Sequence, residues 1–470
     1  MLADLPYRQP APLGFEAAAT TGLMETMVSD PNAEPYNPQG GWFASALFVV
    51  VFCYFWIGLD PLPSPTTSSQ LAAYGESSNA FNQLIVLGMS LLVLTMLFFH
   101  PARELALRAY GPVALVFLWI AMSILFSDTP DAALRRTIYS ALVVLSASAV
   151  LLLPRDNAQF AKLVGFCIFF AVGLSYFGVL AVPARGIHQA TDAAETALAG
   201  DWRGHFGHKN VASAAMAFAV FFGLYLMKTR SYWAGLALAV LAGIFLLNSG
   251  GKTSGAMLPA ILILVWLFER AGIFRYLLVA GGLFVLNATI LSVVAVPAIK
   301  DFVSGLGIDA TFTDRASIWE LALGAIGARP FTGYGFQSFW QTDALFYGNQ
   351  SAATWAVTAA NAHNAYLEQL INGGIPLLLL VIIWLVLLPA RHASLAIQRG
   401  ADPDLTRLYT RIWMFALFSS SFESPFFDNS GPIWFTMLLA IFGLRLQAYA
   451  HLVEKPIGGP MQFSGAVVRN

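Results

Sequence analysis

Long apolar runs, broken by short polar stretches, fill most of this 470-residue chain. They lie at 42–59, 81–99, 111–127, 137–153, 163–182, 210–227, 233–248, 254–269, 276–296, 365–388, 412–428 and 431–448. Most approach the roughly 20 residues that cross a bilayer as helix, and none alternates apolar and polar positions as a barrel strand does. The pattern predicts an all-α polytopic membrane protein of about 12 transmembrane helices. One polar interruption, 297–364, is far longer than the others. Connections beyond about 15 residues are usually functional or disordered, and this one is too rich in Trp, Phe, Tyr and Ile for disorder. It reads as a folded extramembrane cap that carries chemistry.

Hydrophobic residues make up 57% of the chain and charged ones 11%, against about 25% charged in an ordinary soluble domain. A water-soluble globule is excluded. The formal net charge of −1 and the absence of a Lys/Arg cluster argue against a nucleic-acid partner. Cys53 and Cys167 fall inside apolar runs, which disfavours a disulfide framework or a Cys-based metal site. Residues 1–40 lack a basic segment leading directly into an apolar core with a cleavage site, so no removable signal peptide is expected. The expected division is a polar cytoplasmic tail (1–40), a membrane domain (41–450) and a second cytoplasmic tail (451–470).

Charge sets the orientation. With a cytoplasmic N-terminus, nine of the 25 Lys and Arg residues fall outside, the bias expected from the positive-inside rule. The cap then faces away from the cytoplasm. Among the outer cations, Arg203, Lys209, Lys252 and Arg315 lie beside ends of apolar runs, where helix mouths can gather them around one polyanion. His188, His205, His208 and His363 share that side.

Several phrases carry candidate chemistry, each with a plainer reading beside it. Asp201-Trp-Arg-Gly-His-Phe-Gly-His-Lys-Asn210 runs into the sixth span, with Asn210 expected to cap it. An anion there would meet backbone N–H groups as well as Arg203 and Lys209. Otherwise both cations snorkel to headgroups while Trp202 anchors the interface. Gly250-Gly-Lys-Thr superficially suggests a phosphate loop, but the first Gly of that pattern is missing and no strand precedes it, so ATP binding is rejected. Lys252 then belongs to a hairpin turn or to the external anion site.

Apolar positions from Ile318 to Ile326 recur at helical spacing, with Thr313, Asp314 or a Ser317-Ile-Trp-Glu320 capping box as the start and Pro330 ending the helix by Arg329. Arg315 thus sits in or before the first turn, where a cation is unfavourable unless an anion is expected. The aromatics of Gly333-Tyr-Gly-Phe-Gln-Ser-Phe-Trp340 suit sugar faces, although an interfacial belt is the commoner use. His363-Asn364 enters the tenth span. His363 is the best general base among the external residues; a capping or packing role is the alternative.

Five phrases together resemble one family: Trp-Arg-Gly-x-Phe-x-His-Lys-Asn at 202–210, Ser-Gly-Gly-Lys-Thr-Ser at 249–254, Arg-x-x-Ile-Trp at 315–319, Arg-Pro-Phe-x-Gly-Tyr-Gly-Phe at 329–336 and His-Asn-x-Tyr-Leu at 363–367. The family is the O-antigen ligase and polymerase superfamily of bacterial envelope glycan transferases. The phrases keep the expected order over roughly 200–388, a family-like core, and the Trp-Arg-Gly, Lys-Thr and Gly-Tyr-Gly-Phe forms look most like exopolysaccharide polymerases of the succinoglycan type. The resemblance implies a GT-C-like glycosyltransferase of the bacterial inner membrane, working on its periplasmic face without metal, nucleotide or other cofactor. Its donor would be a glycan joined through pyrophosphate to undecaprenol. Carried over by motif, Arg203 and Arg315 would hold the pyrophosphate and His363 would be the base. Lys209, Asn210, Lys252, Arg329, Asn364 and Glu320 are the substrate-binding candidates, and Glu320, Glu368 or Asp314 would replace the base or orient His363.

The expected reaction is polymerisation on lipid-linked repeat units. The same chemistry with lipid A-core as acceptor would be ligation. A transporter or flippase is the alternative of another class, but charged residues inside the expected spans are scarce, apart from Glu423 in the eleventh, which reads as a lipid-portal or structural feature. Expected partners are donor and acceptor glycans, membrane lipids and a co-polymerase or export protein.

Overall fold

The computed structural model describes residues 41–63, 80–100, 103, 107–191, 196–305, 315–348, 356–428 and 431–449. The expected tails, Thr313 and Asp314 lie outside the described residues. The helical bundle forms the unit that begins at Trp42.

Among the described residues, eight helices are long and apolar enough to cross a membrane, and three shorter apolar ones accompany them. With the more polar Pro403–Ser419 they form a series in chain order. These are α1 Gly41–Ile57, α2 Ala80–Phe98, α3 Tyr110–Phe126, α4 Pro130–Val150, α5 Asn157–Ala181 and α6 Lys209–Thr229. The series continues with α7 Tyr232–Asn248, α8 Lys252–Arg270, α9 Gly272–Ala295, α10 Ala365–Gln398, α11 Pro403–Ser419 and α12 Pro432–Tyr449. The only β feature among the described residues is an isolated bridge between Ile187 and Trp202. The chain is an all-α polytopic membrane protein.

Helix α12 is enclosed by its neighbours, with 89% of its apolar window buried, whereas α8 and α9 are only 22% buried and keep broad apolar faces for lipid. Successive spans reverse direction, so the connections after α1, α3, α5, α7, α9 and α11 open on one face. Cross-links between them agree: Leu62 N donates to His205 O (3.4 Å), and Trp202 N donates to Asn248 O (3.1 Å). Arg136 at the head of α4 donates to Gln337 O in the cap.

Among the boundaries that differ from the hydropathy expectation, capping explains those of the fourth and eleventh spans. The fourth span starts at Pro130 rather than 137, because proline suits the first helical position and Arg135 and Arg136 are carried in the opening turns. The eleventh occupies Pro403–Ser419 rather than 412–428. Asp402 caps it through Asp404 N and Leu405 N (both 3.0 Å), and Arg407 in its early turns pairs with Glu269 at 2.6 Å. Paired charges let the helix begin before the apolar run does. At its other end, Ser419 Oγ and Ser420 Oγ donate back to Phe415 O and Ala416 O (both 2.6 Å). Residues 420–428 are therefore outside the helix, and Glu423 is not in a span.

The tenth span is broken. Gly373 (φ −156°, ψ 20°) and Gly374 (φ 69°, ψ −167°) leave helical geometry inside α10. The loop 329–336 fits this gap: Tyr334 N donates to Ile371 O and Ile375 N donates to Pro330 O (both 2.8 Å). Trp119 Nε1 donates to Gly373 O at 2.8 Å. Gly333 and Gly374 are required by contact as well as by positive φ, since a side-chain carbon would stand 2.5 Å from Ile371 O or 2.4 Å from Phe331 C. The aromatics after this loop are not an interfacial belt. Phe336, Phe339 and Trp340 are buried within the protein.

Helices α6 and α7 pack backbone against backbone at Gly223 and Gly235. A carbon added at Gly235 would stand 2.3 Å from Met227 N, while one at Gly243 meets nothing within 4 Å. Gly235→Leu is expected to destabilise the protein by about 1–3 kcal/mol or more, seen as a lower thermal midpoint in detergent. Gly243→Leu serves as the control and should unfold like wild type.

Candidate active site

Glu423 gathers one face of the bundle around one carboxylate. Its Oε1 accepts from Arg315 Nη2 at 2.5 Å and from Asn210 Nδ2 at 3.0 Å. Its Oε2 lies 3.2 Å from His363 Nδ1. These partners come from the first residue of the cap helix Arg315–Ala328, the start of α6 and the residue before α10 is capped. The side chains of Arg315, His363 and Glu423 keep 16%, 33% and 30% exposure, so the cluster is partly open to solvent.

Burial raises the Glu423 pKa, but the hydrogen bond with His363 and the charge of Arg315 outweigh it, holding the carboxyl below its ordinary 4.5. The carboxylate fixes the ring: when Nδ1–H points at Oε2, Nε2 carries the lone pair and is the basic atom.

The backbone presenting His363 is tightly held. His363 has φ +46°, uncommon outside glycine, and its N–H donates to Asn361 Oδ1 at 2.9 Å. The preceding residue is clamped through both its backbone groups: Ala362 N donates to Glu368 Oε2 (2.8 Å) and Trp319 Nε1 donates to Ala362 O (2.9 Å). Trp340 Nε1 also donates to Glu368 (3.0 Å). Glu368 therefore supports the turn rather than touching the ring.

Asn364 is fully buried and caps α10 through Tyr366 N and Leu367 N (3.0 and 3.1 Å). Its Nδ2 donates to Asn287 Oδ1 on α9 and to Ser421 O, both at 3.0 Å. It joins α9, α10 and the 420–428 loop, a scaffold role.

The other expected site residues separate into groups. Asn210 does not cap α6; His208 does, accepting from Asn210 N at 3.0 Å, which frees the Asn210 amide for Glu423. Lys209 pairs with Asp201 at 2.6 Å. Gly250 packs directly on that Asp201, where a side-chain carbon would stand 2.5 Å from Oδ1. Exposed Lys252 begins α8 two residues on, next to the N-cap Gly251, which offers the helix no side-chain cap. Arg203 is not at the surface but buried, at 1% exposure, with Nε donating to Arg185 O at 2.8 Å.

Arg329 and Glu320 stand apart from the cluster. Arg329 follows the far end of the 14-residue cap helix, about 20 Å from its start, where it donates to Phe126 O and packs over the Tyr334 ring. Because that helix begins at Arg315, Ser317 and Glu320 are interior residues rather than a capping box, and both line a cavity in the cap.

Residues 214–382 match the family model described as O-antigen ligase. This segment belongs to the O-antigen ligase and polymerase superfamily. The ligase-family segment contains four of the five phrases quoted above, together with Arg315, His363 and Asn364; the 202–210 phrase and Glu423 flank it. An O-antigen ligase or polymerase type of function, with lipid-linked glycans as substrates, follows from the family. No curated protein matches the chain.

The Glu423 contacts predict a pH signature. Since the folded pKa is below 4.5, the carboxylate's contribution is fully present above that value and lost as pH falls through the lowered one. Glu423→Gln should cost about 1–3 kcal/mol at pH 7. The difference from wild type should shrink below pH 4.5, read by thermal unfolding in detergent across pH.

Proposed function

We propose that the chain is an inverting glycan transferase of the bacterial inner membrane that polymerises an envelope polysaccharide on its periplasmic face. The observation that carries this reading is the His363–Glu423–Arg315 constellation, set at the mouth of a helical bundle, with His363 and Arg315 inside the ligase-family segment and Glu423 beyond its end. The donor is a glycan linked through pyrophosphate to undecaprenol, and the acceptor is a lipid-linked repeat unit. His363 Nε2 takes the proton of an acceptor hydroxyl as that oxygen attacks the anomeric carbon from the side opposite the leaving group. The bond from that carbon to the phosphate oxygen breaks, and the lipid pyrophosphate leaves with the bonding electrons.

Arg315 faces the charge that develops on the pyrophosphate. One of its nitrogens is held by Glu423, and a guanidinium has five N–H donors with which to grip oxygens in a planar fork. Exposed Lys252 and the positive end of α8 extend the field, with Lys209 beside them on Asp201. Arg203 acts from beneath the surface as a fixed charge behind the 185–205 loop. The N-terminus and C-terminus are cytoplasmic in this arrangement.

One observation favours the sister reaction: the matched family is described as O-antigen ligase. Ligation to lipid A-core uses the same donor and base and differs only in acceptor. The phrases at 202–210, 249–254 and 329–336 weigh towards the polymerase.

The test is complementation of a deletion strain with wild type, His363→Ala, Arg315→Ala and Arg203→Lys, each checked for membrane level. Loss of the base should cut transfer by about 10²–10⁴-fold, with the single lipid-linked repeat unit accumulating and high-mass polymer gone. Long polymer that stays on its carrier and never reaches lipid A would convert the reading to ligase. Wild-type polymer from all three variants would sink it.

A further inference from the structure

The exposed side of the cap helix holds a cavity of about 510 Å³ that takes no part in the chemistry described so far. Its lining includes Ser317 and Glu320 from the helix, Tyr334, Phe339 and Thr342 from the following loop, and Asp128 from the α3–α4 turn. We infer that this cavity is a saccharide subsite that holds an uncharged segment of the acceptor glycan, away from the reacting hydroxyl. The inference rests on the transferase reading above and adds a substrate class to it.

Three features point to a sugar. The first is the mixture of aromatic and polar walls: Tyr334 and Phe339 rings lie 4.8 Å apart, and the Tyr334 hydroxyl is tied to Ala325 O at 3.1 Å, which fixes the ring as a wall. With Arg329 over Tyr334 and Phe339 buried, the two rings present edges rather than an open face, an apolar wall beside hydroxyls and carboxylates that suits the mixed surface of a pyranose. The second is charge. Asp128 and Glu320 are the charged residues of the lining, and carboxylates accept short hydrogen bonds from sugar hydroxyls while repelling uronates and phosphates. The nearby cation Arg329 is committed to Phe126 O and to packing on Tyr334.

The third is position. Ser317 and Glu320 follow Arg315 by two and five residues on the same helix, about 3–8 Å along its axis and roughly 140–200° round it, so the cavity starts near the Arg315 end of the helix but opens on the side turned away from that side chain. A polymer whose end hydroxyl meets His363 can lay its earlier sugars there. Binding remote from the reacting bond lowers the cost of orienting it.

Gly324 supplies a clean probe. It lines the cavity, and a side-chain carbon on it meets nothing within 4 Å; Gly327, on the same helix but not in the lining, is equally open. The probe ligand is the repeat-unit oligosaccharide released by mild acid from the carrier lipid of the native strain. Saturation-transfer NMR with the full-length protein in detergent should detect its binding to wild type and to Gly327→Trp. Gly324→Trp should weaken binding about tenfold or more, and the shape-preserving Glu320→Gln several-fold. In the transfer assay, Gly324→Trp should raise the acceptor KM by a similar factor with kcat retained, which marks lost substrate binding rather than lost chemistry.

Binding that is equal in Gly324→Trp and wild type overturns the inference, as does equal loss in both Trp variants. An oligogalacturonate that binds as well as a neutral oligosaccharide of the same length overturns the assigned class. The NMR readout does not depend on turnover. If His363→Ala transfers normally while Gly324→Trp still blocks oligosaccharide binding, the catalytic reading falls and the subsite stands. Transfer lost in His363→Ala, with wild-type binding and KM in Gly324→Trp, removes the subsite and leaves the catalytic reading in place.

Discussion

A helix broken within a membrane must return its freed backbone groups to protein, because hydrocarbon offers them nothing. The break at Gly373-Gly374 imposes that requirement here, and the loop from Arg329 to Phe336 meets it by exchanging hydrogen bonds with Ile371 and Ile375. One consequence reaches the active face. Docking this loop into α10 fixes the C-terminal end of the cap helix, while Arg315 at its other end is held by Glu423. The cap is thus pinned at both ends, once by backbone complementarity and once by charge.

Glu423 is a carboxylate surrounded by groups that need it. Asn210, Arg315 and His363 come from three separate segments, and between them they occupy its two oxygens. Such an arrangement stabilises the ion in spite of partial burial, and it sets the direction of the imidazole. Rigidity comes from a second tier. Asn364 ties α9, α10 and the 420–428 loop, and the Ala362 backbone is clamped by Glu368 and Trp319. Hydrogen bonds that lock a strained His363 backbone hold the geometry that its proposed role as general base needs.

Much of the architecture is legible in the chain. Apolar runs locate the spans because a bilayer demands length and hydrophobicity, both local properties. The outer phrases mark Arg315, His363 and Asn210 as residues beside helix mouths, and these do converge. Arg203 and Lys209 are equally conspicuous in sequence, yet one is buried against Arg185 O and the other is held by Asp201. Proximity to a helix end says nothing about which way a side chain turns. Hydropathy puts Glu423 inside a span because it averages over the apolar neighbours; the Asp402-Pro403 cap and the Ser419-Ser420-Ser421 run are the signals that move the helix and release it.

By itself the sequence determined the class of molecule, the approximate spans, the side on which polar phrases gather and a resemblance carried by their order. It also determined the cap helix, whose apolar spacing and terminating proline are written in neighbouring residues. Only the tertiary structure decided that Glu423 is the common partner, because its contacts lie 60, 108 and 213 residues away along the chain. It likewise decided that the Gly333-Tyr-Gly-Phe336 phrase closes a helix break instead of lining a membrane surface. Local pattern encodes hydrophobicity and backbone preference, whereas a shared carboxylate or a filled gap exists only once distant segments have been brought within hydrogen-bonding reach.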